Sequence, residues 1–416
     1  MATTTEERWR VGPTGSGTAA ALKRQLDKPL TSYHLVLGAS GLLLGLGLLM
    51  VLSASSVTSL NEYGNSYAIF TKQAIWVFVG VPLAFVASRL PIGLIRFGSW
   101  WALLVSIALI GLTYVPALGV SVNGNRNWLS LGGPFLIQPS ELAKLAMVLW
   151  CADVFSRKDR LLTQWRHVLV PMMPVCALVV GLVVLQGDLG TALVLFAIVL
   201  GMLWIIGAPA RLFIGSLLVV SVLAFGLAAS QPERVARLTS FLNPVADYGT
   251  QGWQASHGFF ALATGGLWGS GIGASSQKWG SLPGAHTDFI FAIIGEEFGL
   301  FGTLVVLALF AVLAYAGIRI ATRTTNRFVR YASAGIVVWL LAQALINIGM
   351  VLGMLPVIGI PLPLVSYGGS ALVPTLVSLG LLLGFSRTEP AAQAALAERR
   401  AERRGRWLPS RRLQGA

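Results

Sequence analysis

The sequence predicts an all-α, polytopic integral membrane protein with about ten transmembrane helices. Three observations predict it. Hydrophobic residues make up 55% of the 416-residue chain and charged residues 11%, against about 25% charged in an average soluble domain. The mean hydropathy is +0.74. The apolar residues also gather into runs close to the roughly 20 residues that cross a bilayer. So few charges cannot cover the surface of a soluble fold, and so much apolar surface cannot stay disordered in water.

The candidate spans are 33–54, 71–88, 98–117, 140–155, 168–185, 189–207, 211–230, 289–316, 331–352 and 364–386. The fourth is short and carries Glu141 and Lys144. The fifth and sixth lie close enough to read as one broken unit. Segment 1–32 is a polar N-terminal tail with no cleavable leader pattern, and 387–416 is a basic C-terminal tail. Residues 231–288 form a long loop rich in Gly, Trp and Ser, with no evident apolar core of its own. A loop of that length inside a compact protein is usually functional.

The formal net charge is +14, from 30 basic and 16 acidic residues. In a soluble protein this would suggest nucleic acid. Here most basic residues sort to one side once the N-terminus is placed in the cytoplasm. The positive-inside rule then puts both termini in the cytoplasm. Anionic membrane lipids, not nucleic acid, are the expected partners of that charge. Lys72, Arg126, Lys144, Arg234, Arg237 and Lys278 remain outside or within the membrane. So do Glu62, Glu141, Asp188, Glu233, Asp247, Asp288, Glu296 and Glu297. Ionisable groups at membrane depth are functional candidates by default, so the chemistry is expected to face away from the cytoplasm. Cys151 and Cys176 sit in apolar runs and read as buried small hydrophobes, with no metal-ligand spacing or disulfide framework.

Five segments can carry chemistry. The first joins Asn123-Gly-Asn-Arg-Asn-Trp128 to Gln138-Pro-Ser-Glu-Leu-Ala-Lys144. Pro139 suits the first position of a helix. Glu141 and Lys144, three apart, share one helix face, either as an internal ion pair or as the polar wall of a cavity. Arg126 offers a phosphate-binding fork. The second is Gln186-Gly-Asp-Leu-Gly-Thr191, where Asp188 is either a helix cap or a reactive carboxylate. The third, Gly265 to Gly273 followed by Ser275, Gln277 and Lys278, is either a re-entrant loop or an anion cradle. The fourth is Leu282-Pro-Gly-Ala-His-Thr-Asp288-Phe-Ile-Phe with Gly295-Glu-Glu-Phe-Gly299. A carboxylate at the water–lipid boundary is partly desolvated, which moves Asp288 toward base-competent values. The fifth is Asn347-Ile-Gly-Met and then Gly359-Ile-Pro-Leu-Pro-Leu-Val-Ser-Tyr-Gly-Gly-Ser370. Broken backbone at membrane depth persists only where it lines protein or water, so Ser366 and its neighbours are expected to border the same cavity.

The Gln-Pro-Ser-Glu-x-x-Lys, His-Thr-Asp-Phe-Ile-Phe, Gly-Glu-Glu and Pro-Leu-Pro-Leu-Val-Ser-Tyr-Gly-Gly-Ser segments occur in this order. Together they resemble the FtsW/RodA/SpoVE (SEDS) family over nearly all of 33–386. The resemblance implies a SEDS-type fold and a peptidoglycan glycosyltransferase that polymerises lipid II at the outer face of the bacterial cytoplasmic membrane. It implies a class B penicillin-binding transpeptidase as partner, with other division-site membrane proteins. The essential Asp of the family maps onto Asp288, its polar pair onto Glu141 and Lys144, and its Asn-Gly…Arg…Trp segment onto Asn123, Arg126 and Trp128. Two positions depart from the pattern: Gly187 replaces a proline, and Gly284 replaces a glutamate. Gly295 and Ala285 resemble the division branch more than the elongation branch, which implies a role at the septum.

Asp288 is therefore the expected general base. Arg126, Glu141, Lys144, Gln186, Asp188, Lys278, His286 and Ser366 are the expected substrate-binding residues. Arg126, Lys144 and Lys278 are the cations available for a diphosphate leaving group. A Mg²⁺ or Mn²⁺ ion can share that task, although no ligand set is readable. The alternatives are a lipid II flippase, which would move lipid without forming glycan, and an elongation-type polymerase.

Overall fold

The computed structural model describes residues 27–122, 125–130, 132, 136–161, 164–229, 241, 247–249 and 252–407. Each expected span is a helix. They are α1 (Thr31–Tyr63), α2 (Ala68–Ala87), α3 (Ile92–Leu112), α4 (Pro139–Arg157), α5 (Trp165–Leu185), α6 (Leu189–Ile205) and α7 (Ala210–Ala229). After α8 (Trp253–Gly265) come α9 (Ile290–Arg323), α10 (Arg327–Val351), α11 (Gly369–Ser386) and α12 (Pro390–Trp407). Among the described residues six helices, α1–α3 and α9–α11, are long and apolar enough to cross a membrane.

Sequence chemistry sets the helix starts. Pro139 opens α4 after an extended Gln138, as its fixed φ and missing N–H favour. Asp188 caps α6 by accepting from the Thr191 N–H, and Asn326 caps α10 through the Val329 N–H. The outer helices α2 and α3 turn Phe78, Phe85, Phe97 and Trp101 outward, where lipid is the natural solvent for them. By contrast α4 is buried on every side from Pro139 to Phe155, packed among α3, α6 and α10. That central position explains its low hydropathy. A helix that never faces lipid can carry charges if they are paired.

Glycine permits the closest helix contacts. A Cβ on Gly47 of α1 would collide with the Leu364 and Val365 backbone, and one on Gly380 of α11 would collide with Ala84 of α2. Both positions let backbones approach within the distance that small residues allow in membranes.

The structure adds to the expected layout in three places. The third helix ends at Leu112, and the chain then forms an antiparallel ribbon, β1 (Gly119–Val122), β2 (Asn125–Ser130) and β3 (Leu136–Ile137), with Val120 opposite Trp128 and Leu129 opposite Ile137. The last span starts at Gly369, because Pro361 and Pro363 hold 361–368 out of a helix. The 231–288 loop contains α8, whose Ser256, His257, Gly258 and Ala261 are buried. Asn123, Glu233, Arg234 and Arg237 lie outside the described residues.

Candidate active site

The site forms where the start of α9 and the loop between α10 and α11 meet α4 and α10. The two segments on α4 and α9 are far apart in sequence, and α10 joins them. Lys144 and Glu141 on α4 pair at 2.7 Å, both almost wholly buried. The Lys144 ammonium also donates to Gln343 Oε1 at 2.8 Å, as does the Trp339 indole at 3.0 Å. The Gln343 amide then donates to the Pro361 carbonyl at 3.0 Å. One helical turn on, the Asn347 amide donates to the Asp288 carbonyl at 2.7 Å and the Ile360 carbonyl at 2.6 Å. Gln343 and Asn347, spaced i,i+4 on one face, thus fasten the proline loop between the buried ion pair and Asp288.

The loop is held from its other side as well. The Ser366 hydroxyl accepts from the Leu362 N–H at 2.8 Å. Gln73 on α2 donates to the Ser366 carbonyl at 3.3 Å. The Tyr367 N–H donates to the His286 carbonyl at 2.9 Å, and the two rings lie 5.7 Å apart. Leu364 holds a φ of 66°, a left-handed conformation that costs a branched side chain about 1–2 kcal/mol and that these contacts enforce.

Asp288 is partly exposed just before α9. Thr287 donates to its Oδ1 at 2.8 Å and is the only side-chain donor to it among the described residues. Burial outweighs that bond and raises the carboxyl to about 6. Burial also lowers His286 to about 4, so its imidazole is neutral at pH 7 and not a cation. Gly284, where the resemblance has glutamate, holds a φ of 73°, and any Cβ there would press on the Asp288 carboxylate. Gly187 holds a φ of 82°, which proline cannot adopt, so the turn before α6 is shaped by glycine.

The other expected residues fall into different surroundings. Asp188 accepts from Asn127 at 2.8 Å, Gln138 at 2.7 Å and the Thr191 hydroxyl at 2.9 Å. It is a cap that also docks the ribbon onto α6. Gly190, just after it, approaches Ile358 and Ile360 of the proline loop. Gln186 donates to Thr113 at 2.6 Å and ties α5 to α3. Arg126 lies on the opposite face of β2 from the inward Asn127, and it makes no ion pair among the described residues. Lys278 is drawn into a second cluster. It faces Glu297 at 3.7 Å and bonds the Gly273 carbonyl, while Ser53 of α1 donates to Glu297 at 2.6 Å. Glu296 beside it accepts from Ser275 and twice from Ser276. This cluster pins the glycine-rich loop to α9. The ammonium groups of Lys144 and Lys278, expected as open anion contacts, are therefore each already engaged by a carboxylate.

Gln343 and Trp339 were not singled out by the sequence. The signal for Gln343 was present, as an amide one turn before Asn347 in an otherwise apolar run. Among the described residues no three His, Cys, Asp or Glu side chains converge. The described residues therefore form no protein-built metal cage.

Residues 33–390 match the FtsW/RodA/SpoVE family, described as "Cell cycle protein". The chain belongs to this family. A family member from Mycobacterium tuberculosis, named "Probable peptidoglycan glycosyltransferase FtsW", is 43% identical over 383 residues, covering 92% of this chain and 73% of its own. The "Stage V sporulation protein E" of Bacillus subtilis is 37% identical over 346 residues, covering 83% and 94%. Two solved structures share the fold. One, titled "Structural coordination of polymerization and crosslinking by a peptidoglycan synthase complex", has a TM-score of 0.70 at 28% identity and covers 85% of this chain and 97% of that one. The other, the rod shape determining protein RodA of Thermus thermophilus, has a TM-score of 0.62 at 27% identity and covers 85% and 96%. The chain is thus a multi-pass membrane protein of this family.

Proposed function

We propose that the chain is a peptidoglycan glycosyltransferase that polymerises lipid II at the outer face of the cytoplasmic membrane, with both termini in the cytoplasm. The observation that carries this reading is Asp288. It is a carboxylate with a single side-chain donor among the described residues and a raised pKa, and its carbonyl is held by Asn347, which also binds the proline loop. The acceptor sugar hydroxyl attacks the anomeric carbon of the donor. A C–O bond forms there as the bond to the diphosphate breaks, and Asp288 takes the hydroxyl proton. A base with a pKa near 6 is mostly ionised at neutral pH yet still accepts a proton readily. The diphosphate leaves with the electron pair. Arg126, whose guanidinium makes no ion pair among the described residues, offsets the growing charge. His286 and Ser366 border the sugar. Glu141 and Lys144 act through Gln343, by holding the loop that sets the position of Asp288. Asp188 and Gln186 keep the ribbon and its Arg126 in register with that loop.

The relatives named FtsW support a role in septal wall synthesis, and the structural neighbour supports a class B transpeptidase partner. The test is the purified full chain, in complex with that partner, supplied with labelled lipid II. Glycan strands are expected. Transbilayer movement of lipid II in liposomes with no glycan formed overturns the reading and favours a flippase.

A further inference from the structure

A charged cleft lies at the opposite end of α4 from Glu141, roughly 18 Å along the helix at 1.5 Å per residue. Asp153 is wholly buried there. It accepts from the Arg96 Nε at 2.7 Å, the Arg157 Nε at 2.7 Å and the Trp100 indole at 2.9 Å. One carboxylate thus holds two guanidiniums, and it engages only the Nε edge of each. Their Nη donors make no hydrogen bond among the described residues. The side chains of Arg96 and Arg157 are 35% and 58% exposed. With Gly93, Phe97 and Trp100 they line a cleft of about 330 Å³. Phe97 and Trp100 are themselves exposed at its edge, as aromatic residues are at the boundary between head groups and hydrocarbon.

An ion pair needed only to join α3 to α4 would use one arginine. Here two face one acid, which leaves a net positive charge and free planar donors beside apolar walls. Guanidinium forks match phosphate oxygens in geometry and charge. Basic pockets between helices on the cytoplasmic side suit anionic head groups, and positive-inside sorting puts this end on that side. We propose that the cleft binds the phosphodiester head group of an anionic phospholipid from the cytoplasmic leaflet. The site is separate from Asp288 and does not depend on the glycosyltransferase reading.

The test uses the full chain purified in detergent. Binding of phosphatidylglycerol, phosphatidylcholine and inorganic phosphate is followed by native mass spectrometry and thermal shift. Phosphatidylglycerol is expected to bind and stabilise at least about tenfold more tightly than phosphatidylcholine, and inorganic phosphate to do neither at the same concentration. Arg157→Gln is expected to weaken phosphatidylglycerol binding at least about tenfold. Gly93→Glu is the second variant, because a Cβ at Gly93 meets nothing within 4 Å. It places a competing carboxylate in the cleft without touching the Asp153 clamp, and the same weakening is expected. Equal binding of the two lipids, full protection by inorganic phosphate alone, or a folded variant that binds phosphatidylglycerol as tightly as the unmodified chain overturns the proposal.

Discussion

Two regions of this molecule bring a lysine and carboxylates together, and they do so in opposite ways. Around the glycine-rich loop, Glu296 and Glu297 of α9 accept from serines of α1 and the loop, and Lys278 donates to the loop backbone and faces Glu297. Charge there serves to hold chain segments together. Around the proline loop the charges are divided. Glu141 and Lys144 neutralise each other in the interior, and Asp288 is left at the edge with Thr287 as its side-chain donor. A buried charge that is paired with an opposite charge or bonded to neighbouring segments is structural. A carboxylate that is desolvated but sparsely bonded keeps the capacity to take a proton. Motif and burial alone do not separate the two cases, since Glu141, Lys144, Asp288, Glu296 and Glu297 all lie in the segments that carry the family resemblance.

The largest expected effect falls on Asp288. Asp288→Asn should lower glycan formation by about 10²–10⁴, the usual contribution of a general base. It should not unfold the protein. The folded-state pKa of Asp288 is raised from 3.8 to about 6. Stability from the protonated form is therefore present below about pH 4 and lost as pH rises through about 6. Asparagine mimics the protonated form, so at pH 7.5 the variant should be about 1–2 kcal/mol more stable, after discount for the partial exposure of the group. A thermal melt beside the lipid II assay checks both halves.

Next is Lys144→Met, which leaves Glu141 buried without a counter-charge and should destabilise by about 3–5 kcal/mol. The double variant Glu141→Gln with Lys144→Met should recover much of that loss. Strictly additive losses in chemical denaturation would show that the two residues do not act as a pair. Lys278→Met should weaken the fold by about 1–3 kcal/mol, as removal of a buried hydrogen-bonded partner does, while turnover per folded molecule stays within about threefold. A rise in KM with no change in stability would instead place Lys278 on the substrate. The smallest stability effect is expected for Asn347→Ala. Loss of its two carbonyl contacts should lower kcat about tenfold by loosening Asp288, with a stability change near 1 kcal/mol. A loss confined to stability would break the link drawn between α10 and the base.

The helices were legible because long apolar runs have one solution in a bilayer. Their ends were less so. Residues 113–117 read as apolar but leave α3 for the ribbon, and 364–368 read as span but follow two prolines. Strands of only two to six residues give too few repeats of a period to detect, and α8 was hidden by its small residues. Within the site, Asp288, Glu141 and Lys144 were visible as charges in the wrong solvent. Their roles were not, because a role depends on partners distant in sequence. Lys144 meets Gln343 across 199 residues and Ser53 meets Glu297 across 244. Asp188 carried two readings from sequence, and the contacts of Asn127, Gln138 and Thr191 favour the cap.

The central claim is that Asp288 acts as a base tuned by its surroundings. The most direct measurement is kcat/KM for glycan formation from lipid II between pH 5 and 8.5, with folding verified at each pH. Activity requires the ionised carboxylate, so the rate should fall about tenfold per pH unit below a midpoint near 6 and level off above it. A rate that stays flat down to pH 5 would contradict the account.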